Sequence, residues 1–154
     1  MSAIHTIPEE IVGQWQDIVE LLAETIHVPS AIITRATPPT IEVFRSSGGE
    51  GNPYRQGLKA ELANHYCEEV IKTGNRLLLP DARASERWRD APEIEYGMVS
   101  YLGYPLTWPD GAVFGTICVL DSKENHYGRT YVRLMEQFRG LVQSHLELIC
   151  RNEQ

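Results

Sequence analysis

A chain of 154 residues suffices for one well-cored domain and falls short of two, and its 42% apolar and 23% charged residues exclude a disordered chain. A net charge of −7 excludes non-specific nucleic-acid binding, which needs a basic surface to displace counterions from phosphate. No apolar run is long enough to cross a bilayer, and residues 1–10 lack the basic and apolar regions of a signal peptide, so the expectation is a cytoplasmic domain with no direct membrane insertion.

In chain order, Pro8-Glu9-Glu10 predicts a helix start, because proline fits the first turn and acids complement the positive helix end. Ile11, Trp15, Ile18, Leu22 and Ile26 then recur every three or four residues as one apolar stripe, and Pro29 ends the helix. Residues 30–34 read as a buried strand, Pro38-Pro39 as a turn and residues 40–46 as the partner strand. Residues 47–54 read as a mobile glycine-containing loop. Residues 58–73 read as a second helix, with Leu62, Tyr66, Val70 and Ile71 inward and Gly74 as its C-cap. A short strand over 76–79 stops at Pro80.

Residues 82–97 are mixed and charged, and one or two short helices are expected there, anchored by Trp88, Ile94 and Met98. Residues 99–107 and 112–120 form the clearest hairpin, joined by Trp108-Pro109-Asp110-Gly111, in which proline and glycine supply the turn's backbone angles. A three-residue loop would place Leu102, Tyr104, Leu106, Phe114, Thr116 and Cys118 on one face, and Tyr101, Gly103, Val113, Gly115, Ile117 and Val119 on the other. A long helix over about 131–152 completes an α+β layout of an antiparallel sheet between two long end helices.

Four blocks carry a family likeness: residues 66–74 (Tyr66 to Gly74), 78–82 (Leu78-Leu79-Pro80-Asp81-Ala82), 97–106 (Gly97 to Leu106), and Trp108-Pro109-Asp110-Gly111 with Phe114 to Asp121. With the end helices, the sequence resembles a GAF domain of the type found in bacterial sensor histidine kinases and diguanylate cyclases. The resemblance implies a single sensory domain over residues 1–154, with a core of about 8–150, excised from a larger two-component or cyclase signalling protein. It further implies a GAF-like central antiparallel β-sheet with the long N- and C-terminal helices on one face. Short helices and loops would cover a small-molecule pocket on the other. A PAS domain, the nearest rival fold, lacks the paired long end helices.

Cyclic-nucleotide GAF domains carry Asn-Lys, then Phe, then Asp-Glu; this chain has Ser122-Lys123, Tyr131 and Met135-Glu136, so only Lys123 and Glu136 match. Bilin-binding members attach the chromophore to a cysteine where this chain has Glu95-Tyr96-Gly97. Methionine sulfoxide reductases of the family need a cysteine pair on the pocket rim. The three cysteines here, Cys67, Cys118 and Cys150, lie far apart, and the sequence places no partner thiol near either Cys67 or Cys118. His65 and Glu69, four residues apart on one helix, read as an exposed pair rather than metal ligands. Arg83, Arg87 and Arg89, interleaved with Asp81, Glu86 and Asp90, read as a solvated charged face.

No catalytic residue, metal or cofactor is therefore expected, and an unidentified small-molecule ligand is. Trp88, Met98, Tyr104, Thr116 and Cys118 are the candidate ligand contacts. Trp15, Leu22, Leu134, Phe138, Leu141 and Leu148 are the candidate seam of a homodimer joined through the terminal helices. The rival readings are a ligand-free dimerisation module and a small redox enzyme.

Overall fold

In a computed structural model the described residues are 5–153, so the first four residues of the N-terminal stretch read above lie outside them. Helix α1 (Glu9–Ile26) leads into β1 (Ser30–Thr37), β2 (Thr40–Ser46) and β3 (Lys59–Glu61). Helix α2 (Tyr66–Thr73) and β4 (Leu77–Leu79) follow, then a single 3-10 turn (Ala82–Ala84) and the one-turn α3 (Pro92–Glu95). The hairpin β5 (Ser100–Thr107) and β6 (Val113–Asp121) and the long α4 (Arg129–Asn152) complete the chain.

The six strands form one antiparallel sheet in the order β3-β2-β1-β6-β5-β4, so the first strand and the last pair at its centre. Helices α1 and α4 cover one face. Trp15, Leu22, Met135, Val142 and Leu146 meet Ile33, Leu102, Leu106, Ile117 and Val119 there. On the other face, α2 and the segment around Trp88 and Met98 roof Ile32, Tyr101, Cys118 and Leu120. The α+β sandwich expected from the sequence is present, with the end helices and the roof on opposite sides of the sheet.

Three readings need correction. Residues 58–73 are not one helix. Asn64 adopts a left-handed φ of 69°, which breaks helical hydrogen bonding, and residues 59–61 instead pair with the edge of β2. Leucines at helical spacing do not reveal that, because Leu62 is buried in either conformation.

The hairpin register also differs. Leu106 pairs with Gly115 but Thr107 pairs with Val113, so Phe114 is an extra residue in β6. That bulge shifts every later residue of β6 by one. Leu102, Tyr104 and Leu106 consequently share the helix-covered side with Phe114, Ile117 and Val119, while Cys118 joins Tyr101 under the roof. Gly103 and Gly115 make room for neighbours within the sheet. A Cβ at Gly103 would strike the Tyr101 phenol, and one at Gly115 would strike the carbonyl of Thr34.

The third correction concerns the seam, where α1 and α4 differ. The inward stripe of α4 is Met135, Val142, Leu146 and Ile149, whereas Leu141 and Leu148 are 44% and 45% exposed. Trp15 and Leu22 are 0% exposed inside the monomer, so neither side chain is free to form a dimer seam. Leu134 and Phe138 are half-buried against the same core.

Candidate functional site

The roofed face of the sheet contains a largely apolar cavity of about 50 Å³. Its floor is made of β1, β2, β5 and β6, through Ile32, Val43, Tyr101 and Cys118. Its walls come from α2 and α3, through Cys67 and Glu93, and from Tyr54 at the end of the loop after β2. That loop is tied down rather than loose at this end. Asn52 donates to the hydroxyl of Ser46 (2.8 Å) and accepts from the backbone N–H of Tyr54 (3.0 Å), which sets the Tyr54 ring over the cavity.

Polar groups are few and concentrated. Glu93, 3% exposed, uses Oε2 to accept from the backbone N–H of Tyr66 at 2.7 Å, satisfying one of the open donors at the start of α2. The same oxygen lies 3.3 Å from His65 Nδ1. Burial opposes protonation of His65, but its hydrogen bond to Glu93 and the carboxylate's charge outweigh this, and its pKa is raised. Glu93 Oε1 and the Tyr54 hydroxyl, by contrast, have no hydrogen-bond partner in the protein. Burial, then the nearby Glu93 charge, raises the pKa of the Tyr54 phenol, so it stays protonated.

Deeper in, Cys67 Sγ lies 3.3 Å from both Tyr101 Oη and Thr116 Oγ1, and Cys118 lines the same cavity. The neighbouring Cys118 thiol, followed by the Thr116 and Tyr101 hydroxyls, lowers the pKa of Cys67, whereas burial raises that of Cys118. Thr116 Oγ1 is in turn 2.6 Å from Thr34 Oγ1. The sequence reading that no thiol lies near Cys67 is thus corrected: α2 and β6, remote along the chain, bring Cys67 and Cys118 together.

Of the candidate ligand contacts, Cys118 lines the cavity. Trp88 and Met98 pack in the roof, where Trp88 stacks edgewise on Tyr66 at 5.6 Å and Met98 accepts from the Tyr66 hydroxyl at 3.1 Å. Thr116 sits beside Cys67 and does not itself line the cavity. Tyr104 is on the opposite side of the sheet, where its hydroxyl donates to Glu136 of α4 at 3.3 Å; the bulge at Phe114 is the reason. His65 and Glu69 diverge, the first toward Glu93 and the second to an ion pair with Arg87 at 2.5 Å. Among the described residues no three potential metal-ligating side chains cluster.

Tyr54, Glu93, Cys67 and Tyr101 were not singled out as ligand contacts in the sequence. Glu93 follows Pro92 and reads as an ordinary first-turn acid. In the four-residue α3 it is nevertheless buried, at the second position.

Comparison with known proteins matches this geometry. The family model described as "GAF domain" fits residues 12–146. A 63-residue stretch is 25% identical to the diguanylate cyclase DgcP of Escherichia coli, covering 40% of this chain and 18% of that protein. The chain therefore matches only a small part of that relative's length. Among solved structures, the GAF domain of an Acinetobacter phosphoenolpyruvate-protein phosphotransferase superposes with a TM-score of 0.70 at 16% identity, over 88% of this chain and 81% of that one. A type II free methionine-R-sulfoxide reductase from Thermoplasma acidophilum superposes with a TM-score of 0.72 at 12% identity, over 94% and 97% of the two chains. Sequence model, element order and a roofed cavity over a six-stranded antiparallel sheet agree, and the chain belongs to the GAF domain family.

Proposed function

We propose that this chain is a small-molecule-sensing regulatory domain of a bacterial signal-transduction protein of the histidine kinase or diguanylate cyclase type. The carrying observation is the roofed cavity with two buried polar atoms, on Glu93 and Tyr54, that nothing in the protein satisfies. Buried polar groups are costly without partners, and a bound molecule can supply them.

Strand β5 supports a route outward. On one side it presents Tyr101 to the cavity. On the other it is bound to α4: Arg139 donates to the Pro105 carbonyl (3.0 Å), and Gln143 accepts from the Thr107 N–H (2.8 Å) and donates to its carbonyl (3.2 Å). A ligand that binds one position of the roof better than another would bias α4 through this strand, by no more than its difference in affinity for the two states. The exposed leucines of the end helices, Leu21, Leu141 and Leu148, are the side chains through which two copies would associate and carry that bias to an output domain.

Isothermal titration of the purified domain against a metabolite panel, paired with melting curves, tests the sensing reading. A binder that raises the melting temperature is expected, and a panel with neither heat nor shift would refute it. A redox reading is favoured by one observation, the contact between Cys67 and Cys118. Both thiols are buried. If the protein turns over free methionine sulfoxide, and Cys67→Ser or Cys118→Ser abolishes the turnover, that reading replaces the first.

A further inference from the structure

The polar groups facing the cavity include an acid and no permanently charged cation. Glu93 contributes a carboxylate, His65 an imidazole and Thr34, Tyr54 and Tyr101 hydroxyls, while no lysine or arginine lines it among the described residues; Glu42 lies between Ile41 and Val43 of β2, so its carboxylate turns to the other face of the sheet. His65 is engaged with Glu93 Oε2, leaving Oε1 as an acceptor without a donor. At Oε1 a ligand carboxylate or phosphate would meet an acceptor oxygen with no donor between the two, whereas an N–H donor would complete it with a charge-assisted bond. Tyr54 offers a second unengaged group, its hydroxyl, from the opposite wall.

Size narrows the class. About 50 Å³ is a third of the roughly 150 Å³ that admits a benzene ring, so the cavity itself holds a head group and one or two carbons. Tyr96, 43% exposed, marks the open side, toward which a longer body would extend between it and Leu58. Much of the floor is aliphatic: Ile32, Ile41, Val43 and Leu120.

We propose that the cavity binds a small primary amine whose ammonium group donates to Glu93 Oε1, with the Tyr54 hydroxyl as second polar contact and the carbon chain against Ile32 and Val43. The assignment rests on the reading of this cavity as the ligand site, and it names the ligand class that the reading leaves open.

The test is a titration of 15N-labelled protein with n-propylammonium, 1-propanol and propionate, followed by amide chemical shifts. Propylammonium should move resonances at Tyr54, Glu93 and Tyr101 with a half-saturation at least about tenfold below that of propanol, and propionate should leave them in place. Glu93→Gln should erase the advantage of the amine over the alcohol. Tyr54→Phe, which leaves the carboxylate network intact, should weaken amine binding about threefold. If Glu93→Gln fails to fold, the comparison of amine with alcohol in the wild-type protein decides alone. Propanol or propionate binding as well as the amine would overturn the ligand class and leave the site standing. No movement of cavity resonances with any probe, together with a silent metabolite panel, would overturn both.

Discussion

The two inward-facing histidines respond to acid in opposite senses. Trp15 Nε1 donates to His145 Nδ1 at 2.8 Å, which requires that nitrogen to be unprotonated, and burial lowers the pKa of His145. An unfolded chain takes up that proton near pH ~6.5 while the folded one resists, so this contribution is complete above that pH and is lost as pH falls below it. His65 has its pKa raised by Glu93 against the opposing effect of burial, so its contribution is complete at low pH and is lost as pH rises through its folded value. His145→Gln should therefore lose less melting temperature than wild type between about pH 7.5 and about pH 5.5, and His65→Asn should lose more. Parallel melting curves for all three proteins would contradict both assignments. A glycine gives a third residue-scale test. Gly115→Ala drives a methyl into the backbone of Thr34, which cannot rotate away, and should cost about 1–3 kcal/mol in urea unfolding.

At the scale of elements, α4 separates into two stripes with distinct jobs. Leu146→Ala should cost about 2–5 kcal/mol because it opens a void against the sheet. Leu148→Ala should stay within about 0.5 kcal/mol in monomeric protein. If the exposed leucines join two copies, Leu141→Glu with Leu148→Glu should convert a dimer to a monomer by light scattering without lowering the monomer's melting temperature. Both stripes are visible in the sequence, but their assignment is not, since either satisfies the same helical spacing and only the approach direction of the sheet selects one. The end helices and the hairpin were legible because their periodicity runs over many residues and the Pro109-Asp110-Gly111 turn has a definite geometry. Strand β3 was not, because three residues paired to an edge carry no period of their own. Nor was the face of Cys118, which a single unpaired residue, Phe114, reverses. The cavity's position followed from the fold, whereas its polar groups depended on a one-turn helix and on a loop anchored by Asn52.

For the whole molecule, thiol chemistry reports which layer opens. Cys67 and Cys118 are buried beneath the roof, and Cys150 is partly exposed near the end of α4. A disulfide reagent should label Cys150 within mixing and the other two only as the structure opens. Labelling of Cys67 and Cys118 at a rate that changes little at low urea would identify local detachment of the roof, while a rate that climbs with the unfolding free energy would identify global opening.

The central pairing of β1 with β6 also governs when a native molecule can first exist. As the polypeptide leaves the ribosome, Ile33 has its neighbour in β2 within moments, but its other ladder partner, Ile117, belongs to the last strand made. Until that strand emerges, the nascent sheet is split into halves with bare inner edges. Contacts so distant along the chain make for slow folding, and bare edges invite pairing with the wrong neighbour. Ribosome-stalled fragments that stop before Val113 should thus be held by chaperones or lost to proteases, and protection should arrive as one step once residues 113–121 have cleared the exit tunnel.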